Sequence, residues 1–170
     1  MLIDRQGHEL NDEWTKPGVD GEWPDDKVLL DVESLNTQEE KLKAYNGKLG
    51  IILQSEDDPE TVAPLVDRLS LIVLNFPKYT DGRPYSSARL LRTRYGFDGD
   101  LRATGDVLTD QLAFMVRCGF SSLELSRARD PESVHKALNE FSHAYQTSAD
   151  QASVQSVWQK RKAAAQSEKT

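Results

Sequence analysis

From residue 28 onward, short apolar runs alternate with stretches whose apolar residues recur at helical spacing. The runs are VLLDV (28–32), LGIIL (49–53), LIVLNF (71–76), DLRAT (100–104) and SSLEL (121–125), each of strand length. The stretches between and after them predict helices over 37–45, 59–69, 85–95, 107–118 and 131–145. Five successive strand–helix units imply an α/β fold with a mainly parallel sheet.

The polarity of the runs bears on the architecture. LGIIL and LIVLNF are apolar at nearly every position, as strands covered on both faces are. In the last two runs Leu101 and Ala103 alternate with Arg102 and Thr104, and Leu123 and Leu125 with Ser122 and Glu124. One apolar and one polar face suit a partial TIM-barrel-like sheet, packed outside on helices and lining a pocket inside; a flavodoxin-like doubly wound sheet is the alternative. A five-strand fragment has two open edges, to be covered by the N-terminal segment or by forming a homodimer. The helix ends carry their own signals. Asp58-Pro59-Glu60 and Asp130-Pro131-Glu132 each offer an Asp cap followed by Pro in the first turn, and Gly96 and Gly119 sit where a left-handed cap is expected, each followed by a phenylalanine that folds back.

The predicted strands start near 28, 49, 71, 100 and 122, so one unit is longer than the others. Its excess is PKYTDGRP (77–84), which leaves the C-terminal end of the third run, the end at which ligands bind in barrels and open α/β sheets alike. The chain divides into an N-terminal arm (1–27, with Trp14 and Trp23), one α/β domain (28–147) and a tail (148–170) rich in Ala, Gln, Ser and Lys, read as a frayed helix or disordered.

Composition narrows the function. The chain has 170 residues, 38% hydrophobic and 29% charged, and no apolar run near the length of a membrane-spanning helix. MLIDRQGHELNDEW has no basic region followed by an apolar stretch, so a cytoplasmic location is expected. The single cysteine, Cys118, excludes an internal disulfide, a CxxC pair and an iron–sulfur cluster held by this chain alone. A net charge of −7 argues against broad nucleic-acid binding. Three histidines, His8, His135 and His143, do not assemble a metal-ligand pattern, and GxGxxG, P-loop, GxSxG and HExxH signatures are absent.

Against that acidic background, DGRPYSSARLLRTR (81–94) holds Arg83, Arg89, Arg92 and Arg94 with one acid, Asp81. Asp81-Gly82 has turn chemistry, with Gly82 free to take positive φ, and Arg83 falls at the start of a helix whose Arg89 and Arg92 share a face. Arg102 is read as ending the fourth strand, and Thr104-Gly105-Asp106 leads into a helix bearing Asp110 and Gln111. In a parallel sheet Arg83 and Arg102 would approach one end of adjacent strands, with Asp81 and Asp106 to orient them, and would bind phosphate, sulfate, sulfite or carboxylate. The alternative is a network of structural ion pairs, with Arg102 bonded across strands to Glu124.

The segments F…DGR.YS.AR.LR (76–92), G.LRA.GDVL.DQ (99–111) and RCGF (117–120) resemble the core of a bacterial family, domain of unknown function 934. The resemblance implies motif positions at Asp81, Gly82, Arg83, Tyr85, Ser86, Arg89, Arg92, Arg102, Gly105, Asp106, Asp110, Gln111, Arg117 and Gly119. It also implies a setting, since the family is typically encoded beside the sulfite reductase haemoprotein of assimilatory sulfur metabolism and its members are often described as oxidoreductases of sulfite reduction. Two functions follow as expectations. The first is an accessory or electron-transfer partner of that haemoprotein, using Arg83, Tyr85, Ser86, Arg89, Arg92, Arg102 and Gln111 as its anion or partner surface. The second is a small-anion enzyme with Asp81, Asp106 or Asp110 as acid or base and a bound cofactor, flavin being a candidate without a motif. Gly82, Gly105 and Gly119 would set loop geometry.

Overall fold

A computed structural model describes residues 1–18 and 21–139. Its centre is a six-stranded sheet in the order β1-β6-β5-β4-β3-β2. The strands are β1 (Leu2–Asp4), β2 (Lys27–Asp31), β3 (Lys48–Leu53), β4 (Leu69–Phe76), β5 (Asp100–Gly105) and β6 (Ser122–Glu124). Neighbours from β2 to β6 are parallel, and β1 lies antiparallel on β6, with Leu2 opposite Glu124 and Asp4 opposite Ser122. β2 to β6 thus lie side by side in chain order, with no reversal of the kind that marks the ligand crevice of a doubly wound sheet. The sheet is not closed.

Helices α1 (Val32–Thr37), α2 (Glu39–Ala44), α3 (Arg83–Thr93), α4 (Leu112–Cys118) and α5 (Pro131–Leu138) occupy the connections, together with 3-10 segments at Pro59–Arg68 and Thr109–Gln111. α3 packs on β4, on the Pro59–Arg68 segment and on α4, and α4 packs on α5, so these helices form one layer. The core lies between that layer and the sheet. Leu49, Ile51 and Leu53 of β3, Ile72, Leu74 and Phe76 of β4, and Leu101 and Ala103 of β5 meet Ala88, Leu91, Leu112, Met115 and Phe120 there. The alternate residues of these strands face the other way, toward the N-terminal arm.

The cap chemistry holds in detail. Asp58 accepts from Glu60 N–H at 2.9 Å and Asp130 from Ser133 N–H at 2.9 Å. Gly96 (φ 69°) and Gly119 (φ 110°) are left-handed, and Phe97 and Phe120 behind them are buried. Other expectations change. Asp31 caps an additional helix, α1, by accepting from Ser34 N–H at 2.8 Å, and the helix expected at 37–45 follows it as α2. Pro64 lies within the expected helix 59–69, and the segment forms a 3-10 helix, since proline has no N–H to give and crowds the carbonyl four residues back. The helix expected from Val107 begins as an α-helix only at Leu112, because Val107 is drawn into the core.

The helix predicted beyond Asn139 and the tail at 148–170 lie outside the described residues. Among those described, no helix is long and apolar enough to cross a membrane.

Candidate functional site

Residues 77–82 leave the C-terminal end of β4. The Asp81 carboxylate accepts from Arg83 N–H at 3.0 Å, from Nε at 3.0 Å and from Nη2 at 2.6 Å. That two-residue clasp turns the chain into α3. It also holds the Asp81 carboxyl well below the usual carboxylate range, chiefly through the Arg83 side chain and then its backbone N–H. Gly82 sits at φ −83° with open space where a Cβ would go, so the expected positive φ is not used; the Asp81–Arg83 clasp makes the turn without it.

A second set of contacts fastens this loop to the next one. Tyr79 N–H donates to Asp106 Oδ2 at 2.9 Å, and Gln111 Nε2 donates to the Tyr79 carbonyl at 3.0 Å. Asp106 N–H returns to the Phe76 carbonyl at 2.8 Å. Gly105 makes this approach possible: it adopts φ 90°, and a Cβ there would collide with the Phe76 carbonyl and the Asn75 side chain. Asp106, Gly105 and Gln111 therefore position the loop. An open depression of about 350 Å³ follows it, lined by Pro77, Lys78, Thr80, Asp81 and Arg83.

The structure disperses the other arginines. α3 carries the chain back along the sheet, about 14 Å from Arg83 to Arg92 at 1.5 Å per residue. At that far end Arg92 donates to the carbonyls of Gly119 (2.9 Å), Phe97 (2.5 Å) and Gly99 (2.9 Å). Its guanidinium closes the entries to β5 and β6 and is not brought to Arg83. Arg102 is not at the end of its strand: β5 runs on to Gly105, which leaves Arg102 in mid-strand on the face opposite the helices. It is buried there and donates to Asp12 of the arm at 2.9 Å, with Asp100 at 3.6 Å. Glu124 accepts from Thr104 Oγ1 at 2.5 Å and is not its partner. The joint Arg83–Arg102 anion pocket does not form, because the two side chains serve different faces.

Tyr85 lies in an aromatic cluster, its ring 5.0 Å from Phe76 and 5.0 Å from Phe114. Its hydroxyl is pushed up to about 12 by burial, and then by Cys118 and Asp110 nearby. Ser86 and Arg89 are exposed on α3, and Asp110 is exposed in the 3-10 turn. Arg89 has no side-chain partner among the described residues. Gly119 caps α4. No group of three or more His, Cys, Asp or Glu side chains among the described residues could hold a metal ion.

Two residues stand out that the residue pattern did not single out. Tyr79 is 50% exposed and Phe114 55% exposed. They are linked through Gln111, which bonds the Tyr79 backbone and lies one helical turn before Phe114. The exposure of Phe114 depends on how α4 is rotated against α3 and that of Tyr79 on the path of the 77–82 loop, neither of which the sequence states.

The model of the family described as "Bacterial protein of unknown function (DUF934)" matches residues 50–156, well over half of the chain. The chain belongs to this family. No curated protein matches it. The DUF934 match takes in most of β3, all of β4, β5 and β6, and α3, α4 and α5, and so the whole fastened loop with its aromatic neighbours. β1, β2 and the arm that holds Arg102 precede it.

Proposed function

We propose that this DUF934 protein is an accessory or electron-transfer partner in assimilatory sulfite reduction, meeting the sulfite reductase haemoprotein through the face built by residues 77–82, α3 and α4. The observation that carries the docking reading is the exposure of Tyr79 and Phe114, two large half-exposed aromatics on segments that the Gln111–Tyr79 backbone bond fastens together. Exposed aromatic rings and arginines are the residues protein interfaces bury at their centres. Arg89, one turn beyond Tyr85 on α3, adds to that face a guanidinium with no partner among the described residues. Lys78 and Arg89, with Arg83 held by Asp81, put basic groups on this face in a chain of net charge −7, which suits a partner with an acidic rim. The haemoprotein as partner rests on the family's genomic setting. Electron transfer would need a bound cofactor, since one cysteine cannot form a redox pair.

The test is capture of the haemoprotein by the tagged protein. Phe114→Ser combined with Arg89→Glu should cut recovery about tenfold or more, as loss of an interface centre does, in a variant that remains folded by circular dichroism. Undiminished recovery by that variant would remove this face from the docking reading, and failure of the wild-type protein to recover the haemoprotein would remove the partner.

The depression beside Lys78 and Arg83 favours a second reading, binding of a small anion such as sulfite. Arg83 is already engaged by Asp81, so this reading leans on Lys78. Sulfite titration by calorimetry should then give heat that Lys78→Ala abolishes.

A further inference from the structure

Residues 9–15 join the two opposite edges of the open sheet. Glu9 bridges Ile3 on the free side of β1, and Leu10 N–H donates to the Leu2 carbonyl at 2.9 Å. At the other edge Thr15 pairs with Val28 on the free side of β2: Leu29 N–H donates to the Thr15 carbonyl at 2.9 Å and Thr15 N–H to the Lys27 carbonyl at 3.3 Å. In a flat sheet residues 10 and 15 would lie about 34 Å apart, seven spacings of about 4.8 Å. Five residues reach about 18 Å at full extension. The sheet must therefore curl until its edges face one another, and residues 9–10 and 15 stand where two further strands would complete a ring of eight.

The arm is fastened from inside that curl. Asp12 and Trp14 both meet the sheet from the arm: Asp12 reaches Arg102 on β5 while also accepting from Trp14 N–H at 3.2 Å, and the Trp14 ring covers Gly50 on β3. The ion pair is lopsided, with the Arg102 side chain 6% exposed and that of Asp12 50% exposed. Arg102 Nε is buried without an acceptor, and Asp100, its other acid, is shared with the Ser121 and Ser122 hydroxyls. The charge of Asp12 is thus what compensates the buried guanidinium from the arm side.

We propose that the free edge of β2 is an interaction surface for a second copy of this chain, kept shut by residues 9–15 with the Arg102–Asp12 pair as the latch. The sequence of the strand argues for that occupant. Lys27–Asp31 reads KVLLD, and antiparallel pairing with itself about Leu29 sets Lys27 opposite Asp31 twice. The hydrogen-bonding parity agrees: the Leu29 N–H and the Lys27 carbonyl, which now meet Thr15, point outward, so Leu29 opposite Leu29 and Lys27 opposite Asp31 fall at bonded positions. In the closed state the arm occupies these same groups, Thr15 taking the backbone and Glu13 pairing with Lys27 in the place of the second copy's Asp31. An isologous edge-to-edge contact is the ordinary route by which an uncovered strand forms a dimer.

The experiment measures hydrogen exchange at Leu29 together with light-scattering mass, in the wild-type protein and in Asp12→Asn. The wild type should be monomeric with a protected Leu29 amide. Asp12→Asn should exchange Leu29 about tenfold faster or more in dilute solution, the amides of β4 staying protected. Its mass should double as concentration rises. Adding Lys27→Asp, which sets like charges opposite one another, should return Asp12→Asn to a monomer. If Asp12→Asn fails to fold, Arg102→Met removes the buried charge with the latch and carries the same expectation. Unchanged Leu29 exchange in the folded variant would overturn the latch. A variant that opens at Leu29 yet stays monomeric, or a dimer indifferent to Lys27→Asp, would overturn the second copy as occupant.

Discussion

Arg92 holds together a junction that backbone hydrogen bonds leave open. The chain enters β5 after Gly99 and nears β6 after Gly119, and the carbonyls of both, with that of Phe97, converge on one guanidinium. Arg92→Met keeps the aliphatic stem but strands these acceptors. A loss of about 2–4 kcal/mol is expected from unpaired, partly buried carbonyls, read as a lowered urea midpoint at unchanged slope. Tyr85 makes a prediction in pH. Its hydroxyl ionises at about 12 in the folded protein because burial and the neighbouring Cys118 and Asp110 disfavour phenolate. Folded tyrosine here holds its proton more tightly than the unfolded chain, whose value is about 10, so its contribution is complete below about 10 and lost as pH climbs toward about 12. Tyrosinate absorbance should show a late phase at the top of the titration, and Tyr85→Phe should abolish it.

At the scale of elements, Pro64 explains why Pro59–Arg68 is a 3-10 helix in a sequence with helical periodicity. Pro64→Ala restores the missing N–H and removes the clash, so the far-ultraviolet circular dichroism should gain α-helical signal, while a proline that merely tolerates the 3-10 form would leave the spectrum unchanged. The same element shows what was legible in the sequence. Periodicity marked an element there, and the Asp-Pro-Glu start marked its first residue, but period alone does not report the hydrogen-bond spacing. β1, with three residues, carries too short a pattern to register beside the turn that follows it. In the candidate site, Asp81 and Arg83 were legible because their chemistry is local, two residues apart. Arg102 was visible as a lone charge on an alternating strand, yet its partner Asp12 lies 90 positions away. Arg92 bonds to carbonyls, which every residue has and no sequence pattern singles out.

For the molecule as a whole, Gly50 sets how closely the arm approaches the sheet. An alanine Cβ there would sit 2.9 Å from the Trp14 ring and 3.2 Å from Leu29. Trp14 is rigid and lies between Asp12 and Thr15, the residues that fasten the arm to β5 and β2, so it cannot retreat without lifting one of them. Gly50→Ala should therefore cost about 1–3 kcal/mol, the usual penalty of overpacking, although β3 gains a residue better suited to strands. The cost should fall on the arm and not on the core between sheet and helices, because Gly50 faces away from that core. A double-mutant cycle decides between the two. With Trp14→Ala in place, Gly50→Ala should lose most of its penalty, a coupling of about 1 kcal/mol or more, as residues in direct contact show. Full additivity would mean that the Trp14 ring does not bear on β3 in solution and that the arm is fastened by Asp12 and Thr15 alone on this side.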